Sequence, residues 1–331
     1  MATENKNKKM RNVGNHAFVM VVLVVLVLCQ AVFATDCMVA YWRFDEGDGS
    51  TAFDSVNENN GILDGPTWTT GQVGTALSFD GIDDIVEIPE SPDWDLGSSD
   101  FTIDFWFKYS NLRQAESIIG NQDDCGISGW GVWIWNWRIG FEAGGSPDFP
   151  GQWLHHWIPT NYKPTIDSWH HVVMSREGTG IDNFKIYVDD ILVITDTLDA
   201  FADNDYPLRI GRSYEVYNYP YPYFSGLIDE VVIYNRTLTY PETMLGGTAL
   251  FIMAEVDTGS IDPELEGSLL AKVDAAMEAL DRGNPNDAKV AMNDLKALIN
   301  QVEAQTDKKI TAEAAAEIIQ SANDIIAELG G

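Results

Sequence analysis

The alternation of side chains between residues 101 and 107 limits the fold of this chain more than any other feature. Every second residue of Phe101–Phe107 is phenylalanine or isoleucine, and the residues between them are Thr, Asp and Trp. Phe184–Asp189 alternates in the same way. A period of two, interrupted by clusters of Gly, Pro and Asn, is typical of β-strands. Because no helical stripe separates these runs, we predict a mainly β domain, built as an antiparallel β-sandwich.

Five phrases follow one another along this part of the chain. They are VAYWRFDEGDGS at 39–50, ALSFDGIDDIVEIP at 76–89, FTIDFWFK at 101–108, WHHVVMSR at 169–176 with FKIYVDD at 184–190, and PLRIG at 207–211 closed by GLIDEVVIYN at 226–235. In this order the phrases resemble the laminin-G-like domains of the concanavalin A-like lectin/glucanase superfamily. The resemblance implies a jelly roll, which we place at residues 35–245.

The first 34 residues are typical of a secretory signal peptide. Residues 6–11 are basic, His16–Phe33 is almost entirely apolar, and Ala34 ends a stretch with small residues where a signal peptidase needs them. We predict that residues 1–34 are cleaved and that the protein is secreted or displayed on the extracellular surface. Retention of the segment as a membrane anchor is the alternative, because its apolar run approaches the length of a spanning helix. No later stretch of the sequence is apolar enough to span a membrane.

The chain is strongly acidic, with 51 Asp and Glu against 20 Lys and Arg and a net charge of −31. Such a chain repels the phosphates of nucleic acids and anionic lipids, so we predict no nucleic acid partner. The acidic residues either bind Ca²⁺, keep an extracellular protein soluble, or adapt it to high salt. Most of them are expected to form a solvated surface.

Two cysteines remain after cleavage, Cys37 and Cys125. An even pair in an oxidising compartment suggests a disulfide. We predict a Cys37–Cys125 bridge that ties the N-terminus to a loop, with two free thiols as the alternative.

The composition changes after Leu245, where aromatic residues become rare and Ala, Glu, Asp, Leu and Ile dominate. Apolar residues then recur at helical spacing in three stripes: Leu265, Leu269, Val273, Met277 and Leu280; Ala288, Met292, Leu295, Ile299 and Val302; and Ala315, Ile318, Ala322, Ile325 and Leu329. Amphipathic helices joined by short turns pack antiparallel, so we predict a small all-α helical bundle at residues 246–331, with Thr311 as a helix cap. Phrases such as Leu280-Asp-Arg-Gly-Asn and Lys309-Ile310-Thr311 resemble the FIMAH-type modules of secreted prokaryotic proteins, and this resemblance implies no activity.

The sequence lacks the carboxylate pattern that the superfamily's glycosidases use. Those enzymes place acids at alternate positions of one strand, as in Glu-x-Asp-x-x-Glu, so that the acids share a cleft. Here Asp189-Asp190 and Asp229-Glu230 are adjacent pairs, whose members point to opposite sides of a strand. The neighbouring histidines His170 and His171 cannot chelate as a unit for the same reason. We therefore predict that the protein is not an enzyme.

Calcium is the expected cofactor. Ca²⁺ takes six to eight oxygen ligands from carboxylates and loop carbonyls, and the resemblance implies an ion where the ends of the chain meet. Glu46, Asp54 and Asp229 occupy acidic positions of the family phrases and are the predicted ligands. The loop with Asp80, Asp83 and Asp84 is a second candidate. In both places the alternative is turn chemistry, because aspartate also accepts hydrogen bonds from nearby backbone N–H groups.

Two aromatic stretches are candidate ligand sites, because sugar rings pack their C–H faces on flat aromatic surfaces. In Trp130–Trp137, Trp133, Trp135 and Trp137 share one strand face if no turn interrupts, and Val132 and Ile134 share the other. If the Val/Ile set faces the core, the Trp set is left for a ligand; the opposite orientation and a turn at Asn136 are the alternatives.

The second stretch, Tyr214–Tyr223, has two prolines and five tyrosines in ten residues, which excludes an inner strand and predicts a loop. From this loop we select Tyr217, Tyr219 and Tyr221 as ligand-binding residues. The alternative is that the rings fold back onto the edge of the sandwich.

We conclude from the sequence that this is a secreted, non-catalytic binding module that recognises carbohydrate, as polysaccharide or glycoprotein, with Ca²⁺ support. The predicted contact residues are Trp133, Trp135, Tyr217, Tyr219 and Tyr221. A cell-surface structural or adhesion protein that binds cell-envelope proteins is the second reading. A divergent glycan-processing enzyme is the third and weakest.

Overall fold

A computed structural model describes residues 37–110, 113, 115–122, 128–145, 155–213, 223–281 and 286–330. The chain divides into two compact units, Cys37–Thr243 and a C-terminal unit that begins at Met244. The first unit consists of two antiparallel sheets and the second of helices. A mainly β sandwich followed by a helical end is therefore confirmed.

Sheet 1 contains eight strands in the described residues. They are β1 Met38–Trp42, β4 Thr67–Thr70, β5 Thr75–Asp80, β7 Phe101–Tyr109, β12 Trp169–Arg176, β13 Phe184–Val188, β14 Ile191–Asp196 and β16 Ser225–Tyr234. The order across the sheet is β14-β13-β12-β7-β16-β5-β4, and β1 also pairs with β16. The first and last strands of the domain are therefore neighbours, paired through Tyr41 with Val232 and Trp42 with Val231.

Sheet 2 also contains eight strands in the described residues. They are β2 Thr51–Ala52, β3 Gly61–Asp64, β6 Ile85–Ile88, β8 Ala115–Gly120, β9 Trp130–Trp135, β10 Arg138–Gly144, β11 His155–Pro159 and β15 Leu208–Ile210. Their order is β11-β10-β9-β8-β15-β6-β3-β2. A short 3-10 helix, Pro92–Trp94, precedes β7, and Ser91 caps it by accepting a hydrogen bond from the Asp93 N–H.

The core lies between the two sheets and is built from alternate residues of each strand. In β7 the predicted face of phenylalanine and isoleucine residues is completely buried in this core. Phe101 stacks on Phe141 of the other sheet at 6.0 Å, and Phe141 packs against Trp130 at 6.2 Å. The alternation that predicted strands thus also predicted which side of β7 is buried.

Four helices follow the sandwich: α1 Tyr240–Asp257, α2 Pro263–Asp281, α3 Asp287–Gln305 and α4 Ala312–Gly330. The C-terminal unit contains α1 from Met244 onward and the other three helices. Its core contains Leu269, Val273 and Met277 from α2 and Ile318 and Ile325 from α4. On α3 the buried stripe is Ala291, Leu295, Leu298 and Val302, so only two of the five predicted residues are fully buried.

The predicted cap of the last helix is present, because the Ala314 N–H donates to Thr311 Oγ1 over 3.2 Å. None of the helices in the described part of the chain has the length and apolar character that crossing a membrane requires.

Candidate functional site

Strand β9 carries the tryptophans that the sequence selected. Trp130, Val132 and Ile134 belong to the core between the sheets. Side chains alternate along a strand, so Trp133 and Trp135 project from the opposite, outer face of sheet 2. The strand ends at Trp135, and the turn to β10 contains Asn136 and Trp137. Of the alternatives left open by the sequence, the structure has the Val/Ile set in the core and the turn at Asn136.

The Trp133 side chain lies on this outer face and is fixed by a hydrogen bond to Gln122. Its side chain is 4% exposed, and its Nε1–H donates to Gln122 Oε1 over 3.1 Å. Gly131 makes this contact feasible, because a Cβ at that position would lie 2.6 Å from both Gln122 Oε1 and Trp133 Nε1. The predicted ligand residue Trp133 is therefore on the expected side of the strand but offers little surface to solvent.

Trp135 and Trp157 supply the partly exposed aromatic surface of the same face. Across the strands, Trp133 lies opposite Gly140, and Gly140 lies opposite Pro159. A Cβ at Gly140 would lie 2.8 Å from Trp157 Cη2, which shows that the Trp157 indole lies over this glycine. The three indoles thus line an outer surface whose floor contains glycine, an arrangement that gives flat apolar rings room to stack.

Two buried polar atoms accompany this surface. Gln122 and Ser117 are completely buried, and among the described residues Gln122 Nε2 and Ser117 Oγ have no hydrogen-bond partner. Ser117 lies opposite Trp133 on the neighbouring strand, and Gln122 holds its indole. Buried polar groups are nearly always paired, so these atoms need an explanation beyond packing. Neither residue had a signature in the sequence, since a serine in a strand and a glutamine before a loop are ordinary.

The predicted calcium ligands do not converge. Asp54 Oδ1 accepts hydrogen bonds from the backbone N–H groups of Tyr41 and Val56, and its Oδ2 accepts one from Asn59. Glu46 Oε1 accepts from the Phe53 N–H over 2.8 Å. Asp80, Asp83 and Asp84 form the only group of three acidic side chains, among the described residues, whose ligand atoms lie within 4.8 Å of one another. Glu46, Asp54 and Asp229 as a set therefore do not fit a single ion.

Asp229 is the most unusual of these carboxylates. It is completely buried, and its Oδ2 accepts from the N–H groups of Gln72 and Val73. Its Oδ1 has no partner among the described residues. Burial raises the pKa of Asp229 to about 8, although backbone hydrogen bonds from Val73, Gln72 and Glu230 oppose the shift. Burial also raises the pKa of the adjacent Glu230, which is hydrogen-bonded to the Tyr41 hydroxyl.

The two central histidines point to different sides of β12, as expected for neighbours in a strand. His170 Nδ1 lies 2.7 Å from Asp189 Oδ2. His171 Nε2 lies 2.7 Å from Asp104 Oδ1, and its ring stacks on Trp106 at 4.8 Å. Burial alone would lower the pKa of His171, but the carboxylates of Asp104 and Asp190 outweigh it and raise the pKa to about 10. Each histidine contacts a different aspartate, so the two have structural roles in separate contacts.

Several predicted residues lie outside the described part of the chain. These are Tyr217, Tyr219 and Tyr221 of the tyrosine-rich loop, and Cys125 of the predicted disulfide. The predicted signal peptide, residues 1–34, lies there as well. Trp157 is not among the contact residues predicted from the sequence. Its position over Gly140 follows from the pairing of β10 with β11, which could not be predicted without the strand register.

Known proteins resemble this chain at the level of its domains. No curated protein sequence matches it. Among solved structures, one match is domain 4 of an extracellular arabinanase from Geobacillus stearothermophilus, in complex with arabinotriose. The two chains are 20% identical, and the aligned region covers 62% of this chain and 95% of that domain, with a TM-score of 0.46. A botulinum neurotoxin type C structure, described as dependent on two ganglioside molecules for cell entry, is 17% identical, covers 65% of this chain and 51% of its own, and has a TM-score of 0.49.

The family models are more specific than these distant structures. Residues 252–327 match the model of the FIMAH domain, within the helical unit. Residues 80–243 match the Laminin_G_3 model of the concanavalin A-like lectin/glucanases superfamily, within the sandwich. Both resemblances read from the sequence are thereby confirmed: the chain carries a laminin-G-like domain of the concanavalin A-like superfamily, followed by a FIMAH domain.

Proposed function

We propose that this protein is a non-catalytic carbohydrate-binding module whose ligand lies on the outer face of sheet 2. One observation carries the proposal: Trp133, Trp135 and Trp157 line that face, away from the core, over the glycine positions 131 and 140. Flat indole rings suit the C–H faces of sugar rings, and the two glycines leave space for these indoles against the sheet. Rigid aromatic side chains also lose little conformational entropy on binding, which favours them as contact residues.

The carboxylates of the sandwich support a binding role over a catalytic one. Glycoside hydrolysis needs two carboxyl groups that both reach the scissile bond. Asp229 and Glu230 have strongly raised pKa values, but they are 0% and 4% exposed and cannot reach a sugar chain. Their shifts follow from burial in a structural position, since Tyr41 and the backbone of residues 72 and 73 occupy them.

Secretion and calcium support are parts of the same proposal. We propose that the module acts outside the cell, where polysaccharides and glycoproteins are available, because residues 1–34 have the pattern of a signal peptide. We assign calcium a stabilising role, with Asp80, Asp83 and Asp84 as the ligands to test first, because their carboxylate oxygens already lie together.

The experiment is a binding measurement of the full chain on a broad polysaccharide array, followed by titration of the best ligand with the variants Trp135→Ala and Trp157→Ala. Loss of a stacking indole is expected to weaken affinity by about tenfold or more, corresponding to at least ~1.4 kcal/mol. Trp106→Ala is the matched control, since Trp106 is a partly exposed tryptophan on sheet 1 that stacks on His171.

Each outcome of this binding measurement either supports or contradicts the proposed face. Weaker binding by the two sheet 2 variants, with the Trp106→Ala variant unchanged, supports the proposed face. Equal loss in all three variants would mean that the substitutions act through stability. Absence of binding to every polysaccharide, with and without Ca²⁺, would overturn the carbohydrate proposal and favour the adhesion alternative.

A further inference from the structure

The tip of the β9–β10 hairpin is built at an energetic cost. Asn136 and Trp137 both have positive φ angles, 50° and 62°. Two-residue hairpin turns of this kind favour Asn-Gly, because the second position accommodates a residue without a Cβ best. A bulky residue with positive φ is an outlier, and such outliers concentrate at functional sites. Trp137 is nevertheless 41% exposed, so packing into the core does not explain its presence.

One cation contacts this exposed indole, and a second follows it in the sequence. Lys163 Nζ lies 5.8 Å from the centre of the Trp137 ring, within the range of a cation–π interaction. Arg138 follows Trp137 and lies directly opposite Trp135 across the hairpin, so it shares the outer face of sheet 2. Both cations are exposed. In the described part of the chain, neither has a carboxylate within salt-bridge distance.

This pair of cations is unusual for the molecule that carries it. The chain has 51 acidic residues against 20 Lys and Arg. Several of the other cations in the sandwich are occupied: Arg43 by Asp45, Arg209 by Glu87 and Arg236 by Glu242. Two unneutralised cations beside a strained, exposed tryptophan therefore form a local positive site in an acidic protein.

We propose that Trp137, Arg138 and Lys163, the hairpin-tip site, bind a sugar unit that carries a carboxylate, such as a uronic acid. The sugar ring stacks on Trp137, the planar guanidinium of Arg138 matches the carboxylate in a bidentate way, and Lys163 adds a second positive charge. The tip continues the face with Trp135, so the acidic unit is part of the same bound chain. This inference rests on the proposed function and names its substrate class.

The overall negative charge does not prevent such binding. At physiological ionic strength the screening length is about 8 Å, so most distant acidic residues are screened. A carboxylate hydrogen-bonded to Arg138 would lie closer than this to the guanidinium, so screening would not remove that attraction. Because the local attraction is screened less than the repulsion from distant acidic residues, we expect this site to select an acidic sugar although the whole molecule is negatively charged.

The test compares polygalacturonate with its carboxyl-reduced form, titrated into the full chain at about 0.15 M salt with chelator present. We expect the polygalacturonate to bind about tenfold more tightly. Arg138→Gln and Lys163→Gln should each remove most of this preference and leave affinity for the reduced polymer unchanged. Lys185→Gln removes the same charge from β13 of sheet 1 and is the matched control, which should keep the preference.

The outcomes separate this inference from the proposed function. Equal affinity for the two polymers, or an equal effect of Lys185→Gln, overturns the hairpin-tip site while the carbohydrate-binding role stands. Binding of neither polymer also overturns it, and the array with the Trp135 and Trp157 variants then judges the proposed function separately. A preference that disappears only in the hairpin-tip variants supports the inference.

Discussion

At the scale of single residues, Asp229 gives the chain a measurable dependence on pH. Burial raises its pKa from an ordinary value of 3.8 to about 8. The folded chain therefore binds the proton more tightly than the unfolded chain, and stability falls as the pH rises from about 4 to about 8. One such proton changes the free energy of unfolding by up to about 1.4 kcal/mol per pH unit. Asp229→Asn keeps an oxygen for the Gln72 and Val73 N–H groups and removes the titration.

We expect Asp229→Asn to flatten the decline of the unfolding free energy between pH 5 and pH 8, measured by urea denaturation at each pH. Glu230 and His171 keep a residual slope, since their pKa values are also raised. The His171 contribution is complete below about 6.5 and is lost as the pH rises toward about 10. An identical slope in wild type and variant would show that Asp229 is ionised throughout this range.

The residue scale also shows why the position of Trp135 could be predicted from the sequence and that of Trp137 could not. Alternation along β9 assigned faces to Val132, Trp133, Ile134 and Trp135, and this assignment depends only on the period of a strand. Past Asn136 the period ends, and the position of Trp137 depends on a turn whose residues lack the usual glycine. Its proximity to Lys163 is a contact between distant segments, which no local pattern encodes.

At the scale of elements, the β9–β10 hairpin is expected to gain stability when its strained residue is replaced. Trp137→Gly restores the Asn-Gly turn and removes the cost of a large side chain at a φ of 62°. That cost is about 1–2 kcal/mol for a residue in the left-handed region. We expect the midpoint of denaturation to rise while affinity for acidic polysaccharide falls, which separates the roles of the residue. Asp182→Gly, which relieves a φ of 59° in the turn before β13, is the control that should gain stability without losing affinity.

Loss of stability in the Trp137→Gly variant would show that the packing of the indole contributes more to stability than the strain in the turn costs.

The elements of the fold could be predicted from the sequence to different degrees. For strands with strict alternation, such as β7, the sequence predicted both the strand and the side of it that faces the core. The register of β10 with β11, which brings Trp157 over Gly140, depends on pairing between strands joined by a long connection. The helices could be predicted as elements. The buried stripe of α3, however, contains Ala291 and Leu298, each one residue before a predicted residue, because tertiary packing decides which side of the helix is buried.

At the scale of the whole molecule, calcium is expected to act against a large surplus of negative charge. The chain has a net charge of −31, and Asp80, Asp83 and Asp84 hold three carboxylates within 4.8 Å. Burial and the neighbouring aspartates raise the pKa of Asp84, so the loop carries an unfavourable interaction that a bound cation would remove. A ligand present at about 100 times its Kd stabilises the folded state by about 2.7 kcal/mol. We therefore expect Ca²⁺ to raise the melting temperature by several degrees over chelator.

The control has to separate a specific site from general screening, because any added salt reduces repulsion in so acidic a chain. NaCl at matched ionic strength supplies that comparison, and Asp83→Asn removes one exposed carboxylate from the loop without touching the core. A calcium effect that exceeds the salt effect and is lost in Asp83→Asn identifies the loop as the site. A calcium effect that equals the salt effect assigns the acidic residues to solubility alone. An effect that survives in Asp83→Asn places the ion elsewhere, and the next position to test is Oδ1 of buried Asp229, which has no hydrogen-bond partner among the described residues.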